Sequence, residues 1–440
     1  MSETPPARKP EILRRGRIFW RRQGPGAPMW RRRAAIFGGA VAVGLVAVLF
    51  AAVADRASDV FHGYSARWWW LPLIVTPAGF VLISWITTLL APAARGSGIP
   101  QIMAAKHDPE NATQSLASAR TAALKAVLTA AALACGASVG REGPTVQIGA
   151  TVMAYAHRIL RVPVRASVLV AGAAAGVAAA FNTPLAGVAF AIEELAAAYE
   201  QRMTLLVMTA VLIAGMISLG IAGDYVYFGI VGQTLSIRAV LVLAPAAGIL
   251  GGLSGGIFSR AMLWLARGGG ARISGGRPIL LAGGCGLIVA GLGVLTGLTW
   301  GTGYDAARAM IDGAHAPLWF GPAKFVATLA TAAAGLPGGI FAPSLATGAG
   351  VGNLVHALFP GEPTGAVVLL GMVAYFTGVV RAPLTSVIIM SETTGSRGLM
   401  LPLLATALIA EGAASLVSRE RLYHGLSAGF LPSRAEKSKN

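Results

Sequence analysis

Five apolar runs decide what this chain can become. Residues 34–54, 71–91, 205–222, 281–298 and 367–387 each reach the roughly 18 to 20 residues needed to cross a hydrocarbon core as a helix. The composition agrees. Of 440 residues, 55% are apolar and only 12% charged, and mean hydropathy is +0.67, whereas a soluble domain carries about a quarter charged residues. A soluble enzyme is excluded, and the expected fold class is an all-α polytopic membrane protein.

A net charge of +17 on a soluble protein would suggest a nucleic-acid partner, but the distribution of the charge argues for membrane topology. Ten cations fall within the first 33 residues (Arg8, Lys9, Arg14, Arg15, Arg17, Arg21, Arg22, Arg31, Arg32, Arg33), directly before the first apolar run. This is the positive-inside signal of a cytoplasmic N-terminus, with attraction to anionic lipid headgroups. The basic region is too long, and the first run too extended, for a cleaved signal peptide. Arg419, Arg421, Arg434, Lys437 and Lys439 place the C-terminus on the same side, so an even number of crossings is expected. The chain divides into a basic tail at 1–33, a membrane core at 34–418 and a short tail at 419–440. No metal site is expected, because the six histidines (His62, His107, His157, His315, His356, His424) lack ligand spacing and read as loop or interface residues. Cys135 and Cys285 lie inside apolar segments and imply no disulfide framework.

Polar links are expected near 55–70, 92–120, 195–203, 223–238, 266–279, 300–321 and 360–364. Trp68, Trp69 and Trp70 stand at the edge of the second run, where an aromatic belt belongs. Fifty-seven glycines interrupt most runs, which in a membrane lets helices approach closely and breaks several of them. Sliding the chain along itself by 199 residues reveals an internal repeat. Gly140 meets Gly339, Pro144 meets Pro343, Gly149 meets Gly348, Gly172 meets Gly371, Pro184 meets Pro383, Leu185 meets Leu384, Val188 meets Val387 and Glu193 meets Glu392, without a gap. Matching Gly and Pro mean matching helix breaks. The core is two halves built alike, matching around 140–193 and 339–392, and transporters so built place their ion site between the halves. The repeat alone leaves parallel and inverted halves both open.

Three glycine-proline motifs carry the chemistry: Gly96-Ser97-Gly98-Ile99-Pro100, Gly140-Arg141-Glu142-Gly143-Pro144 and Gly339-Ile340-Phe341-Ala342-Pro343. Each reads as the opening of a helix, with free backbone N–H groups and the positive end of the dipole aimed into a low-dielectric interior. A small anion is held there by partial charge and can leave again, as conduction requires. Glu142 stands in such a helix start. An ionisable side chain in the membrane is by default functional, and its carboxylate can take an anion's place; the alternative is a plain salt bridge to Arg141. Glu193 and Glu194 are adjacent, about 100° apart on a helix, and cannot share a role. Glu193 has a repeat partner and reads as a fold-level residue, whereas Glu194 meets Thr393 and is the better functional candidate. Gly136-Ala137-Ser138-Val139-Gly140 fits a hydrolase nucleophile pattern, but lies in a membrane segment already explained by helix breaking.

These motifs, in this order, resemble the CLC chloride channels and proton-coupled chloride transporters. Phe181-Asn182-Thr183-Pro184-Leu185-Ala186-Gly187 followed by Glu193 and Glu194, and Tyr423 in Arg421-Leu422-Tyr423, add to the likeness, which runs from about residue 34 to 426. The resemblance implies inverted repeats with broken and re-entrant helices, and a homodimer with a separate pore in each subunit. It implies that Ser97, Tyr423, Ile340 and Phe341 hold the anion, that Glu142 is the external gate and that Glu194 is the internal proton-transfer residue. Gly96, Gly98, Pro100, Gly140, Arg141, Gly143, Pro144, Gly339 and Pro343 support the motifs. Lys125 resembles a buried lysine of bacterial members. The implied activity is proton-coupled chloride exchange across a bacterial inner membrane, without cofactor; the alternatives are a passive chloride channel and an exchanger for another small anion. The implied partners are chloride, protons and the lipid bilayer.

Overall fold

A computed structural model describes residues 27–195, 201–223, 226–314 and 316–431. The cations from Arg8 to Arg22, the segment following Leu195, His315, and Arg434, Lys437 and Lys439 lie outside the described residues. In chain order the helices are α1 (Ala27–Arg67), α2 (Pro72–Leu90), α3 (Ile99–Ala105), α4 (Pro109–Ala112), α5 (Ala119–Ala134), α6 (Glu142–Ile159), α7 (Ala166–Phe181), α8 (Pro184–Phe190), α9 (Gln201–Ala222) and α10 (Ile237–Trp264). There follow α11 (Gly270–Ile273), α12 (Pro278–Thr296), α13 (Tyr304–Ile311), α14 (Phe320–Ala333), α15 (Phe341–Leu358), α16 (Thr364–Val380), α17 (Pro383–Thr394), α18 (Met400–Val417) and α19 (Leu422–Ser427). The described residues contain no strand, only isolated bridges. The chain is a multi-pass, all-α membrane protein.

Six helical stretches among the described residues are long and apolar enough to cross a membrane: Met29–Arg67, Pro72–Leu90, Leu205–Ala222, Ile237–Ile273, Pro278–Thr296 and Arg397–Val417. The apolar run 367–387 is not among them. Arg381 adopts a left-handed conformation (φ 63) and Pro383 opens a new helix, so the run divides into α16 and α17. Two of the six were not apparent as apolar runs, because Arg238, Arg260 and Glu411 interrupt them. The polar link expected from residue 55 is also helical up to Arg67: α1 has 41 residues and is about 60 Å long, twice a hydrocarbon core. The exposed Trp68, Trp69 and Trp70 follow it, and the Arg67 guanidinium lies over the Trp68 ring, 4.9 Å from its centroid.

The repeat is realised in three dimensions. Adding 199 to the bounds of α6 gives those of α15, and α7 and α16 end together on Asn182 and Arg381, both left-handed (φ 57 and 63). These two helices, apolar all round, are buried along nearly their whole length. Gly149 backs onto Gly172 in the first half and Gly348 onto Gly371 in the second, the close packing that small residues permit. The halves meet head-on. Gly140 N donates to Gly339 O at 2.7 Å, and Gly339 N to Gly140 O at 2.7 Å, an antiparallel bridge between equivalent residues. The copies thus meet in opposite chain direction, as inverted repeats require.

Candidate functional site

Where the halves meet, the three glycine-proline motifs join one backbone network. Besides the Gly140–Gly339 exchange, Gly96 N donates to Leu336 O (3.2 Å) and Gly338 N to Gly96 O (3.1 Å). Each motif then opens a helix: α3 at Ile99 with Pro100 in its first turn, α6 at Glu142 and α15 at Phe341. Gly98 precedes α3 at φ 109, a conformation that a side chain would strain. Gly143 is where the motifs touch: a Cβ there would stand 3.0 Å from the Gly339 Cα and against the Ser97 hydroxyl. Helix starts keep their first N–H groups unbonded within the helix. The amides at Ile340 and Phe341 are therefore donors at the centre of the protein.

Around this point lie buried polar atoms without a hydrogen-bond partner: Ser97 Oγ, Tyr423 Oη and both carboxylate oxygens of Glu142. Glu142 is 0% exposed. Its Oε2 and the Ala342 amide nitrogen both border the space over the Gly140 Cα, which puts the carboxylate at the opening turn of α15. The alternative pairing with Arg141 is not formed; Arg141 Nη1 instead donates to Asp55 Oδ1 (2.5 Å) and Ala51 O (3.1 Å) on α1. Beside that pair, Asp59, His62, Tyr227, Tyr304 and Gly303 help to line a cleft of about 490 Å³. Tyr423, from α19, packs its ring on Phe341 (6.1 Å between centroids). Its hydroxyl lies beside Ser97 and within electrostatic reach of both Glu194 and Glu142. All the sequence-derived anion-binding positions thus fall together. Buried hydroxyl and amide donors gathered around a carboxylate at a helix start are suited to a small anion that takes the carboxylate's place.

Glu193 and Glu194 lie in a single π-turn, Ala191–Leu195, the kind of helix irregularity that concentrates at functional sites. The equivalent stretch of the second half stays α-helical within α17, so the two halves differ at these acids. Glu193 has the fold-level role its repeat partner suggested: its carboxylate accepts from Leu384 N (3.1 Å), Thr385 N (2.7 Å) and Thr385 Oγ1 (2.8 Å). Glu194 instead buries its carboxylate without a hydrogen bond, and His424 Nδ1 stands 3.7 Å from its Oε1. His424, expected at a loop or interface, thus stands beside Glu194, an approach that no spacing in the sequence signals.

Lys125 is buried and donates from Nζ to Ala94 O (2.8 Å) and Gly96 O, so it ties the first motif in place. Lys324, its equivalent at the 199-residue offset, was missed. It is also fully buried and donates to Thr299 O (2.9 Å), Trp300 O (3.3 Å) and Gly301 O (2.8 Å). The repeat offset was the signal that could have found it. Ser138 of the hydrolase-like pattern bonds Thr328 Oγ1 at 2.9 Å across the repeat, a structural link.

Two opposed halves, broken helices converging on unpartnered hydroxyls and amides, and a carboxylate among them define a polytopic membrane protein with an anion-suited centre. The match to known proteins runs nearly end to end. The chain belongs to the voltage-gated chloride channel family, whose sequence model matches residues 79–415. Relatives named H(+)/Cl(-) exchange transporter ClcA, from Yersinia pestis bv. Antiqua (strain Angola) and Yersinia pseudotuberculosis serotype O:3 (strain YPIII), are 32% identical over 431 aligned positions, covering 89% of this chain and 87% of each relative. Its fold is shared with a slow cyanobacterial Cl-/H+ antiporter (TM-score 0.77, 24% identity, 91% of this chain and 99% of that one). It is shared too with a CLC-type fluoride/proton antiporter (TM-score 0.77, 21% identity, 89% and 96%).

Proposed function

We propose that this protein is a secondary transporter that exchanges chloride for protons. The carrying observation is the Glu142 carboxylate, buried without a hydrogen-bond partner among the helix starts that also present the Ser97 and Tyr423 hydroxyls. In this reading Ser97, Tyr423 and the Ile340 and Phe341 amides hold chloride. Ionised Glu142 competes for the anion's place and withdraws when protonated, which links proton movement to anion movement. Glu194 exchanges protons with the opposite face. The names of the Yersinia relatives support chloride and protons as the ions. The protein works as a homodimer in the bacterial inner membrane, with both termini cytoplasmic, and the tail arginines favour that orientation.

The test is purified protein in liposomes under a chloride gradient with a voltage shunt. Uphill proton movement is expected, and Glu194→Gln should abolish it while anion flux continues. Chloride movement without protons in the wild type would overturn the exchanger reading and establish a passive channel. Transport of another anion in preference to chloride would overturn the substrate assignment.

A further inference from the structure

A proton that reaches Glu194 must be handed over by a neighbour, because the carboxylate side chain is 0% exposed and has no hydrogen bond. Glu193, next in the chain, is held by three donors of the other half. Among the described residues, the remaining charged or titratable groups facing Glu194 are Lys106, Arg421, His424 and Tyr423, whose hydroxyl is fully buried in the anion centre. Lys106 Nζ donates to Leu195 O at 3.0 Å, and the Arg421 guanidinium stands 3.8 Å from Glu411. Neither cation has a lone pair with which to accept a proton. Among the described residues, only the imidazole both approaches Glu194, at 3.7 Å, and reaches solvent, with its side chain 49% exposed.

Resting on the assignment of Glu194 as a proton carrier, we propose that His424 is the residue that loads Glu194 with protons from the aqueous face bearing α19. Nε2 forms its N–H bond with a proton from hydronium, releasing water, while Nδ1 gives up its proton to Glu194 Oε1. The imidazole is left neutral as the other tautomer, and ring rotation or exchange with water resets it. The 3.7 Å gap is closed by rotation of a half-exposed side chain or by one bridging water. Tyr423 and His424 are adjacent on α19, so their side chains diverge by about 100°: one serves the anion centre, the other the rim above Glu194. Partial burial, then the Lys106 and Arg421 cations, hold His424 below the ordinary imidazole range, which keeps it the neutral form that can accept.

His424→Ala and His424→Gln, reconstituted as full-length protein, are compared with the wild type for chloride-driven proton movement and for chloride binding by calorimetry. Both variants should bind chloride normally and move protons about tenfold more slowly or worse. Free imidazole in the compartment facing α19 should restore His424→Ala. Undiminished proton transport in both variants, a loss that imidazole does not restore, or a parallel loss of chloride binding would each overturn the proposal. Glu194→Gln is assayed alongside: persisting proton movement there would end the Glu194 assignment itself, whatever His424 does.

Discussion

Glu193 and Glu392, 199 positions apart, clamp each other's half of the molecule. Glu193 accepts from the amides of Leu384 and Thr385, and Glu392 from those of Leu185 (3.2 Å) and Ala186 (2.8 Å). Since 384 and 385 are the repeat equivalents of 185 and 186, the exchange is isologous about a local two-fold. Each carboxylate caps the positive end of the opposite short helix, at Pro184 or Pro383.

A hydrogen bond to a charged acceptor contributes about 1.5 to 3 kcal/mol. Glu193→Ala and Glu392→Ala should therefore each destabilise the folded protein by about 2 kcal/mol or more, measured as denaturation in detergent. The double variant should depart from the sum, because both clamps join the same pair of short helices and losing one loosens the other. Normal stability in both single variants would refute the clamp.

Glu142→Gln keeps the size of the side chain and removes its negative charge. Proton movement should fall to background, and chloride flux should lose its dependence on pH, since no ionised carboxylate remains to compete. Retained coupling in liposomes would remove Glu142 from the gate.

Ser97→Ala and Tyr423→Phe each delete one hydroxyl donor. Each should weaken chloride binding by about 1 kcal/mol, roughly fivefold, read by calorimetry. Unchanged chloride binding in Ser97→Ala would take Ser97 out of the filter.

The two buried lysines separate stability from binding. Lys324→Met strands the carbonyls of Thr299, Trp300 and Gly301 and should cost about 3 kcal/mol with chloride affinity unchanged in the folded fraction. Lys125→Met leaves the Gly96 carbonyl with the Gly338 amide as its remaining donor and loosens the first motif, so it should weaken chloride binding as well. Equal chloride affinities would show that Lys125 does not position the first motif.

Much of the architecture was legible in the chain. Long apolar runs admit few structures in lipid, and prolines and glycines recur at one offset, so the helix starts at Glu142 and Phe341 and at the paired Pro184 and Pro383 follow from local chemistry. The same local rules put Ser97 and Glu142 at helix openings. Hydropathy could not mark where run 367–387 divides, because α16 and α17 are both apolar. Nor could it show that α1 continues through Asp55, whose carboxylate reaches Arg141 86 residues away. The pairing of Gly140 with Gly339, the reciprocal carboxylates, and the approach of His424 to Glu194 were decided by tertiary structure alone. These are contacts between segments far apart in sequence, and no local propensity encodes which distant amide or imidazole a carboxylate will meet.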